Sequence, residues 1–110
     1  MVVDCKPTTQ CFLILLDTGK LMGINRMGQC VVELIHPKSR FTSLSLFYDL
    51  IYLGTATGDV NIYSVNSYSL VRDINTGHRT PINNVAVSRG NLVYAFYADS
   101  TTRIFSIPNS

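Results

Sequence analysis

The sequence predicts an all-β fold in which one antiparallel unit recurs about every 40 residues. The turn Asp17-Thr18-Gly19 returns with similar flanks as Thr57-Gly58-Asp59, and a degenerate third copy follows at Asp99-Ser100-Thr101. Gly19 and Gly58 are 39 residues apart, and Gly58 and Ser100 are 42 apart. Between these turns, apolar and β-branched residues come in runs of about five that Gly, Asn, Asp, Ser or Pro interrupts. Such a period, made only of short strands, indicates a repeat architecture.

Ten strands follow from these runs, at about 11–16, 20–25, 29–35, 41–47, 50–55, 59–65, 68–74, 82–87, 91–97 and 101–107. If the strands of one unit are labelled a to d, the chain reads b-c-d over 11–35, a-b-c-d over 36–74 and a-b-c over 77–107. Residues 1–10 and the tail Pro108-Asn109-Ser110 are predicted to be loop.

Each predicted hairpin has turn residues at its tip. Gly19 and Gly58 supply the positive φ that a tight turn between strands b and c requires. Phe47-Tyr48-Asp49 and residues 88–91 fall where strand a turns into strand b. The turn chemistry therefore agrees with the division into antiparallel units.

Two of the predicted b strands are apolar on both faces. They are Leu50-Ile51-Tyr52-Leu53 and Leu92-Val93-Tyr94-Ala95-Phe96. A strand of a half-exposed sandwich alternates between apolar and polar residues, whereas a strand buried on both sides does not. The sequence therefore predicts sheets that stack face to face.

Composition excludes several classes of protein. The chain is 46% apolar and 15% charged, which is typical of a packed domain and not of a disordered segment. The net charge is +2 and the basic residues are scattered, so neither a nucleic acid nor an acidic membrane is predicted as a partner. The apolar runs are short, six residues at 11–16 and seven at 92–98, whereas a membrane helix needs roughly 20. A cytoplasmic location is expected.

The cysteines and the aromatic residues both favour packing roles. Cys5, Cys11 and Cys30 are an odd number without C-x-x-C spacing, which predicts reduced and mostly buried thiols, in agreement with the cytosol. Most of the six tyrosines and five phenylalanines fall at strand positions. Tyr48 and Tyr68 lie near turns and are expected to be exposed.

The best copy of the unit, 77–107, resembles a WD40 repeat. It has Gly77-His78 before strand a, Asp99 in the b–c turn, and Phe105-Ser106 where the family closes strand c with Trp-Asp. The middle copy keeps His36 without its glycine, has Thr57 for the turn Asp, and has Tyr63-Ser64 for Trp-Asp. The resemblance covers nearly the whole chain, although Trp is absent. It implies a β-propeller built of antiparallel four-stranded blades.

A fainter resemblance concerns residues 50–60 and 95–99. These stretches are similar to WD-repeat scaffolds that bind JNK-pathway kinases and act at mitotic spindle poles. That similarity would associate the chain with the cytoskeleton or the centrosome.

The predicted strands do not make a closed propeller. Ten strands amount to about two and a half blades, whereas closed propellers have about 4 to 8. The chain is then a piece of a longer protein, or it completes a propeller with other chains, with oligomers forming through unpaired blade edges. A third alternative is a self-contained small β-barrel or sandwich. As a barrel it would bind a small hydrophobic ligand in its interior.

No enzyme and no cofactor are predicted. His78 and Asp99 could act as an acid–base pair, but no Ser or Cys nucleophile stands in a matching context. The resemblance implies instead that the pair is a structural corner contact. The histidines and cysteines lack the spacing of zinc ligands, and Thr76-Gly77-His78-Arg79 lacks the frame of a phosphate loop.

The remaining hypothesis is a non-catalytic scaffold module that binds other proteins through its loops. The resemblance implies that the d–a and b–c loops meet on the narrower face of a propeller, where partners dock. Arg40 and Arg79 are the strongest candidates, because Arg is enriched at binding hot spots. The matching positions in this chain are Lys38, Ser39, Arg40, Ala56, Arg79, Thr80 and Ala98.

Overall fold

The fold consists of antiparallel sheets that follow one another along the chain, as a computed structural model that describes residues 1–107 shows. The tail 108–110, predicted to be loop, lies outside the described residues. The first sheet contains β1 (Val2–Pro7), β2 (Phe12–Leu16), β3 (Leu21–Ile24) and β4 (Cys30–Leu34). The second contains β5 (Phe41–Phe47), β6 (Leu50–Thr55), β7 (Val60–Ser64) and β8 (Leu70–Ile74). The third contains β9 (Ile82–Ser88), β10 (Leu92–Tyr97) and β11 (Thr102–Ser106).

The all-β prediction is confirmed, but the prediction of a loop over residues 1–10 is wrong. Most of that segment is β1, which pairs with β2 from Val2↔Leu16 to Pro7↔Phe12. The first sheet therefore has four strands, not the three expected over 11–35. The sequence concealed β1 because it is an edge strand: Asp4 and Lys6 interrupt its apolar residues, and Pro7 ends it where its missing N–H is tolerated.

The repeat extends to the irregularities of strand pairing. A bulge interrupts the pairing of the first two strands at the same place in each sheet, and the third and fourth strands share another. The first bulge places one extra residue in the first strand of each sheet: Val3 in β1, Thr42 in β5 and Asn83 in β9. The second falls between Gly23 and Ile24 and between Ile62 and Tyr63. The sheets are therefore copies of one unit in backbone geometry as well as in sequence.

The second sheet is buried on both faces, as the apolar strand at 50–53 predicts. Ile51 and Leu53 belong to a core between the first and second sheets, whereas Tyr52 belongs to a core between the second and third. The first core contains Cys11, Leu13, Leu15, Leu21, Phe41, Leu44, Ile51, Leu53 and Val65. The second contains Tyr52, Val60, Ile62, Ile82, Val85, Val93, Ala95 and Tyr97.

The third sheet is covered on one face only by the residues that the structure describes. Val93, Ala95 and Tyr97 of β10 are buried against the second sheet. Tyr94 and Phe96 point to the other face, because successive side chains of a strand alternate, and Phe96 is 38% exposed. The prediction that β10 is buried on both faces is therefore wrong for the described residues, since only one of its faces is covered.

The sheets meet mainly through the first strand of each. Close contacts between sheets are concentrated where β5 meets β1 and where β5 meets β9. The hydroxyl of Thr42 in β5 also donates a 2.5 Å hydrogen bond to the carbonyl of Ile82 in β9. The radius of gyration, 13.2 Å, equals the value of about 13 Å expected for one compact body of this length.

A self-contained β-barrel requires one sheet closed on itself. Residues 1–107 form separate sheets with packed cores between them, and no sheet closes. The alternative of a barrel with a small hydrophobic ligand inside is therefore wrong.

Truncation of Leu53 should destabilise the chain strongly. Leu53 is fully buried between the first and second sheets. We expect Leu53→Ala to lower the free energy of unfolding by about 2–5 kcal/mol, because it removes buried methyl groups and leaves a cavity. Leu70, in the same sheet, is 53% exposed, so Leu70→Ala should cost no more than about 0.5 kcal/mol. Urea titration measures both, and equal costs would contradict burial of the second sheet.

Candidate functional site

The residues predicted to bind partners lie at one end of the sheets. Residues 35–40 connect the first sheet to the second, and residues 75–81 connect the second to the third. The hairpin turns at 17–20, 56–59 and 98–101 lie beside these connections. We call this set of segments the loop end. It contains Lys38, Ser39, Arg40, Ala56, Arg79, Thr80 and Ala98.

Backbone hydrogen bonds hold the first connection between two successive turns. The amide of Phe41 donates to the carbonyl of Gly19, at 3.1 Å, in the turn of the first sheet. The amide of Ala56, in the turn of the second sheet, donates to the carbonyl of Arg40 at 3.0 Å. Arg40 is therefore fixed through its main chain, while its side chain is exposed.

The second connection is held in the same way. The hydroxyl of Thr76 donates to the carbonyl of Gly58 at 2.7 Å. On the other side, the amide of Ala98 donates to the carbonyl of Pro81 at 2.9 Å. Tyr97 also reaches across, since its hydroxyl donates to the carbonyl of Gly58 at 3.1 Å. Each connection thus ties together the turns of two adjacent sheets.

Glycine is required where a turn passes under a connection. Gly58 has φ of +95°, and a Cβ built on it would overlap the carbonyl oxygen of His78. Gly19 has φ of +90°, and its Cβ would overlap the side chain of Arg40. Ser100 holds the equivalent position in the third turn at φ of +71°. The third copy therefore keeps the left-handed backbone without the glycine that favours it.

His78 and Asp99 lie together at the second connection. Nε2 of His78 is 2.9 Å from Oδ2 of Asp99, and the amide of Thr101 donates to Oδ1 at 3.0 Å. The His78 ring also packs edge-on against Tyr97, with ring centroids 4.5 Å apart. Hydrogen bonds from Thr101, with a further contribution from His78, hold the pKa of Asp99 below its ordinary value. The pair joins the connection before β9 to the turn after β10.

The equivalent positions of the middle copy make different contacts. Nδ1 of His36 accepts a hydrogen bond from the amide of Lys38 at 3.1 Å, and its ring packs on Phe41. The hydroxyl of Thr57, where the third copy has Asp99, lies 3.2 Å from the hydroxyl of Thr55. The histidine of this copy therefore has no carboxylate partner among residues 1–107.

The loop end contains three cationic side chains. Lys38, Arg40 and Arg79 are exposed, and none of them forms an ion pair with a described residue. The hydroxyl of Ser39 is buried and lacks a hydrogen-bond partner among the described residues. Thr80 is half-buried, and its amide donates to the carbonyl of His78 at 3.0 Å. Ala98 is exposed.

A shallow cleft of about 190 Å³ lies beside Arg40. Its other lining residues are Val3, Leu16, Asp17, Phe41 and Thr42. The sequence could not indicate this cleft, because Val3 belongs to β1, which reads as loop. Apolar residues alternating with Asp4 and Lys6 were the only signal for that strand.

Two expectations about individual side chains are wrong. Tyr68 was expected to be exposed, but it is half-buried, and its hydroxyl lies 3.5 Å from the sulfur of Cys11. Burial and this hydrogen bond raise the pKa of Tyr68 to about 12. The cysteines were expected to be mostly buried, but only Cys11 is, whereas Cys5 and Cys30 are exposed on edge strands. Tyr48 is exposed, as expected.

No group of three His, Cys, Asp or Glu side chains in the described part of the chain is arranged to hold a metal ion. Over the same residues, no helix has the length and hydropathy needed to span a bilayer.

Comparisons with known proteins identify the fold. No protein-family model and no curated protein matches the sequence. The C-terminal WD40 domain of Sif2 matches with a TM-score of 0.82 and 12% identity, over 98% of this chain and 34% of that one. The WD40 β-propeller domain of Doa1 matches with a TM-score of 0.82 and 18% identity, over 96% and 36%. The computationally designed protein Ika4 matches with a TM-score of 0.80 and 19% identity, over 97% and 66%.

These matches confirm the predicted fold class. The chain has the fold of consecutive WD40 propeller blades, and it spans about a third of the two WD40 chains.

A methyl group at Gly58 should cost more than the same group at Gly28. Both glycines have positive φ, +95° and +80°, but only at Gly58 would the Cβ meet the backbone of another segment. We expect Gly28→Ala to lower the free energy of unfolding by about 1–2 kcal/mol and Gly58→Ala by more than about 3 kcal/mol. Thermal unfolding measures both, and equal losses would contradict the contact between this turn and the second connection.

The stabilising contribution of the Asp99 carboxylate should depend on pH. The pKa of Asp99 is lower in the folded chain than in the unfolded chain, so its contribution is complete above the unfolded pKa and is lost as the pH falls through the folded pKa. The difference in unfolding free energy between wild type and Asp99→Asn should be constant above about pH 5 and shrink as the pH falls below the unfolded pKa of about 3.9. Urea unfolding at several pH values measures it. A difference that stays constant to the lowest pH would contradict the lowered pKa.

Proposed function

We propose that this chain, which folds like part of a WD40 propeller, is a non-catalytic module that binds other proteins through its loop end. The observation that carries this proposal is the exposed side chain of Arg40, which has no ion-pair partner among residues 1–107. Its backbone is fixed between two turns. The module acts as a scaffold within a larger propeller.

Pre-organisation supports the loop end as a binding surface. The connection before β5 is tied to Gly19 and Ala56, and the connection before β9 is tied to Gly58 and Ala98. A surface that is already ordered loses little backbone entropy when a partner binds. The exposed side chains of Arg40 and Arg79 then meet the partner from a fixed backbone.

The chemistry of the cleft indicates the partner's features. Arg40 lines a cleft together with the apolar residues Val3, Leu16 and Phe41 and with Asp17, whose carboxylate is paired with the N-terminal ammonium. A carboxylate of the partner can accept paired hydrogen bonds from the Arg40 guanidinium. An apolar side chain next to it in the partner can then cover the cleft. The module therefore recognises a segment in which an acidic residue adjoins an apolar one.

The contacts of His78 and Asp99 support a structural role over a catalytic one. Each oxygen of the Asp99 carboxylate has a partner, His78 or Thr101, and the imidazole packs on Tyr97. A general base needs its acceptor atom directed at a substrate proton. In this arrangement the pair fastens the second connection to the third turn.

The proposed setting is the cytoplasm, with an association to the cytoskeleton or centrosome as the resemblance to spindle-pole scaffolds suggests. The thiols of Cys5 and Cys30 are free and exposed. Exposed thiols of this kind persist in a reducing compartment.

Selection from a displayed peptide library tests the proposed surface. We expect the chain to select peptides in which Asp or Glu adjoins an apolar residue. Arg40→Ala should weaken their binding about tenfold or more, because truncation of an arginine anchor typically costs more than about 1 kcal/mol. Calorimetric titration of a selected peptide measures the change.

Arg26→Ala is the matched control, because Arg26 is exposed in the turn between β3 and β4 and lies outside the loop end. Its affinity for the peptide should equal that of wild type. Selected peptides without acidic residues, or equal losses in Arg26→Ala and Arg40→Ala, would contradict the proposal.

A further inference from the structure

Two apolar sheet faces are left uncovered by the described residues. One belongs to the first sheet, and we call it the first outer face. Its side chains are Phe12, Ile14, Leu16, Met22 and Ile24, and Phe12 is 48% exposed. The other belongs to the third sheet, and we call it the second outer face. Its side chains are Leu92, Tyr94, Phe96 and Ile104, and Ile104 is 59% exposed. Apolar faces of this kind mark interaction sites.

The second outer face is equivalent to the face with which the second sheet packs on the third. In the second sheet, Leu50 pairs with Ser64 and Tyr52 pairs with Ile62 across neighbouring strands. The third sheet has the same pairs at the equivalent register, Leu92 with Ser106 and Tyr94 with Ile104. In the second sheet, the residues Leu50, Tyr52 and Ile62 pack into the core shared with the third sheet. The equivalent trio in the third sheet is therefore built to receive another sheet.

The first outer face is equivalent to the faces with which the second and third sheets pack on the sheet before them. The third sheet presents Val93, which pairs with Phe105, to the second sheet. The second sheet presents the equivalent pair, Ile51 with Tyr63, to the first. In the first sheet this pair is Phe12 with Ile24, and it lies on the first outer face. Each interface inside the chain thus joins a face like the second outer face to a face like the first outer face. The two outer faces themselves are the ones left without a partner among the described residues.

We propose that the first outer face of one copy of this chain packs on the second outer face of a second copy. The two faces differ, so the contact is head-to-tail, and a head-to-tail contact forms a ring when its rotation closes. Two copies, with three sheets each over residues 1–107, supply six sheets, within the range of about 4 to 8 found in closed propellers, whereas three copies would exceed it. The occupant is therefore a second copy, and the assembly is a ring of two chains. This inference rests on the larger propeller proposed above.

Sedimentation equilibrium tests this assembly. Wild type should have twice the mass of the 12.2 kDa chain at about 100 µM. Phe12→Glu and Tyr94→Glu should each be monomeric under the same conditions, because each places a charge in both contacts of the ring. Circular dichroism and thermal unfolding verify that each variant is folded; should Tyr94→Glu unfold, the more exposed Ile104→Glu replaces it. A monomeric wild type overturns the proposal.

Mixing the two variants distinguishes a head-to-tail contact from a symmetric one. In an equimolar mixture, the unmodified second outer face of Phe12→Glu can bind the unmodified first outer face of Tyr94→Glu. Native mass spectrometry should therefore show a heterodimer that neither variant forms alone. In a symmetric contact each face would pair with its own copy, so one of the two variants would remain dimeric alone, and that result overturns the proposal. A mixture that stays monomeric beside a dimeric wild type also overturns it.

Leu70→Glu is the matched control. The exposed fraction of Leu70, 53%, is similar to that of Phe12, 48%, but Leu70 belongs to the second sheet and lies on neither outer face. This variant should remain dimeric, and its dissociation would overturn the assignment of the contact to the outer faces. Peptide binding at the loop end of monomeric Phe12→Glu tests the loop-end proposal separately, because Arg40 is present whether or not the chain dimerises.

Discussion

The structure depends on the burial of the second sheet between its two neighbours. Ile51 and Leu53 pack towards one neighbour and Tyr52 towards the other, so β6 contributes to both cores. A single four-stranded sheet of this size cannot bury its apolar residues alone. The first and third sheets are therefore held by the second, to which connections of six and seven residues join them.

The same constraint explains the loop end. When two sheets stack through their first strands, the connection between them must pass the hairpin turns of both. Gly19 and Gly58 allow the close approach, and the backbone hydrogen bonds of Phe41 and Ala98 complete it. The connections are ordered by this packing, so their exposed arginines extend from a fixed backbone. Packing between sheets thus shapes the surface that we propose to be functional.

Local features made much of the fold predictable from the sequence. The glycines mark turns because a positive φ favours them, and the strand at 50–53 is apolar on both faces because it is buried on both. Strand β1 was not predictable, because an edge strand with Asp4 and Lys6 has no strong apolar pattern. The cleft beside Arg40 was therefore missed as well. Its lining residues Val3 and Leu16 are brought there by the pairing of β1 with β2.

Amide hydrogen exchange tests most directly whether the second sheet holds the fold together. We predict that the amides of β6 exchange slowest of all, at the rate of global unfolding. Those of the outer strands β4, β8 and β11 should exchange faster, through local opening. Exchange from β6 as fast as from β11, or separate protection of the first and third sheets while β6 exchanges freely, would contradict the account.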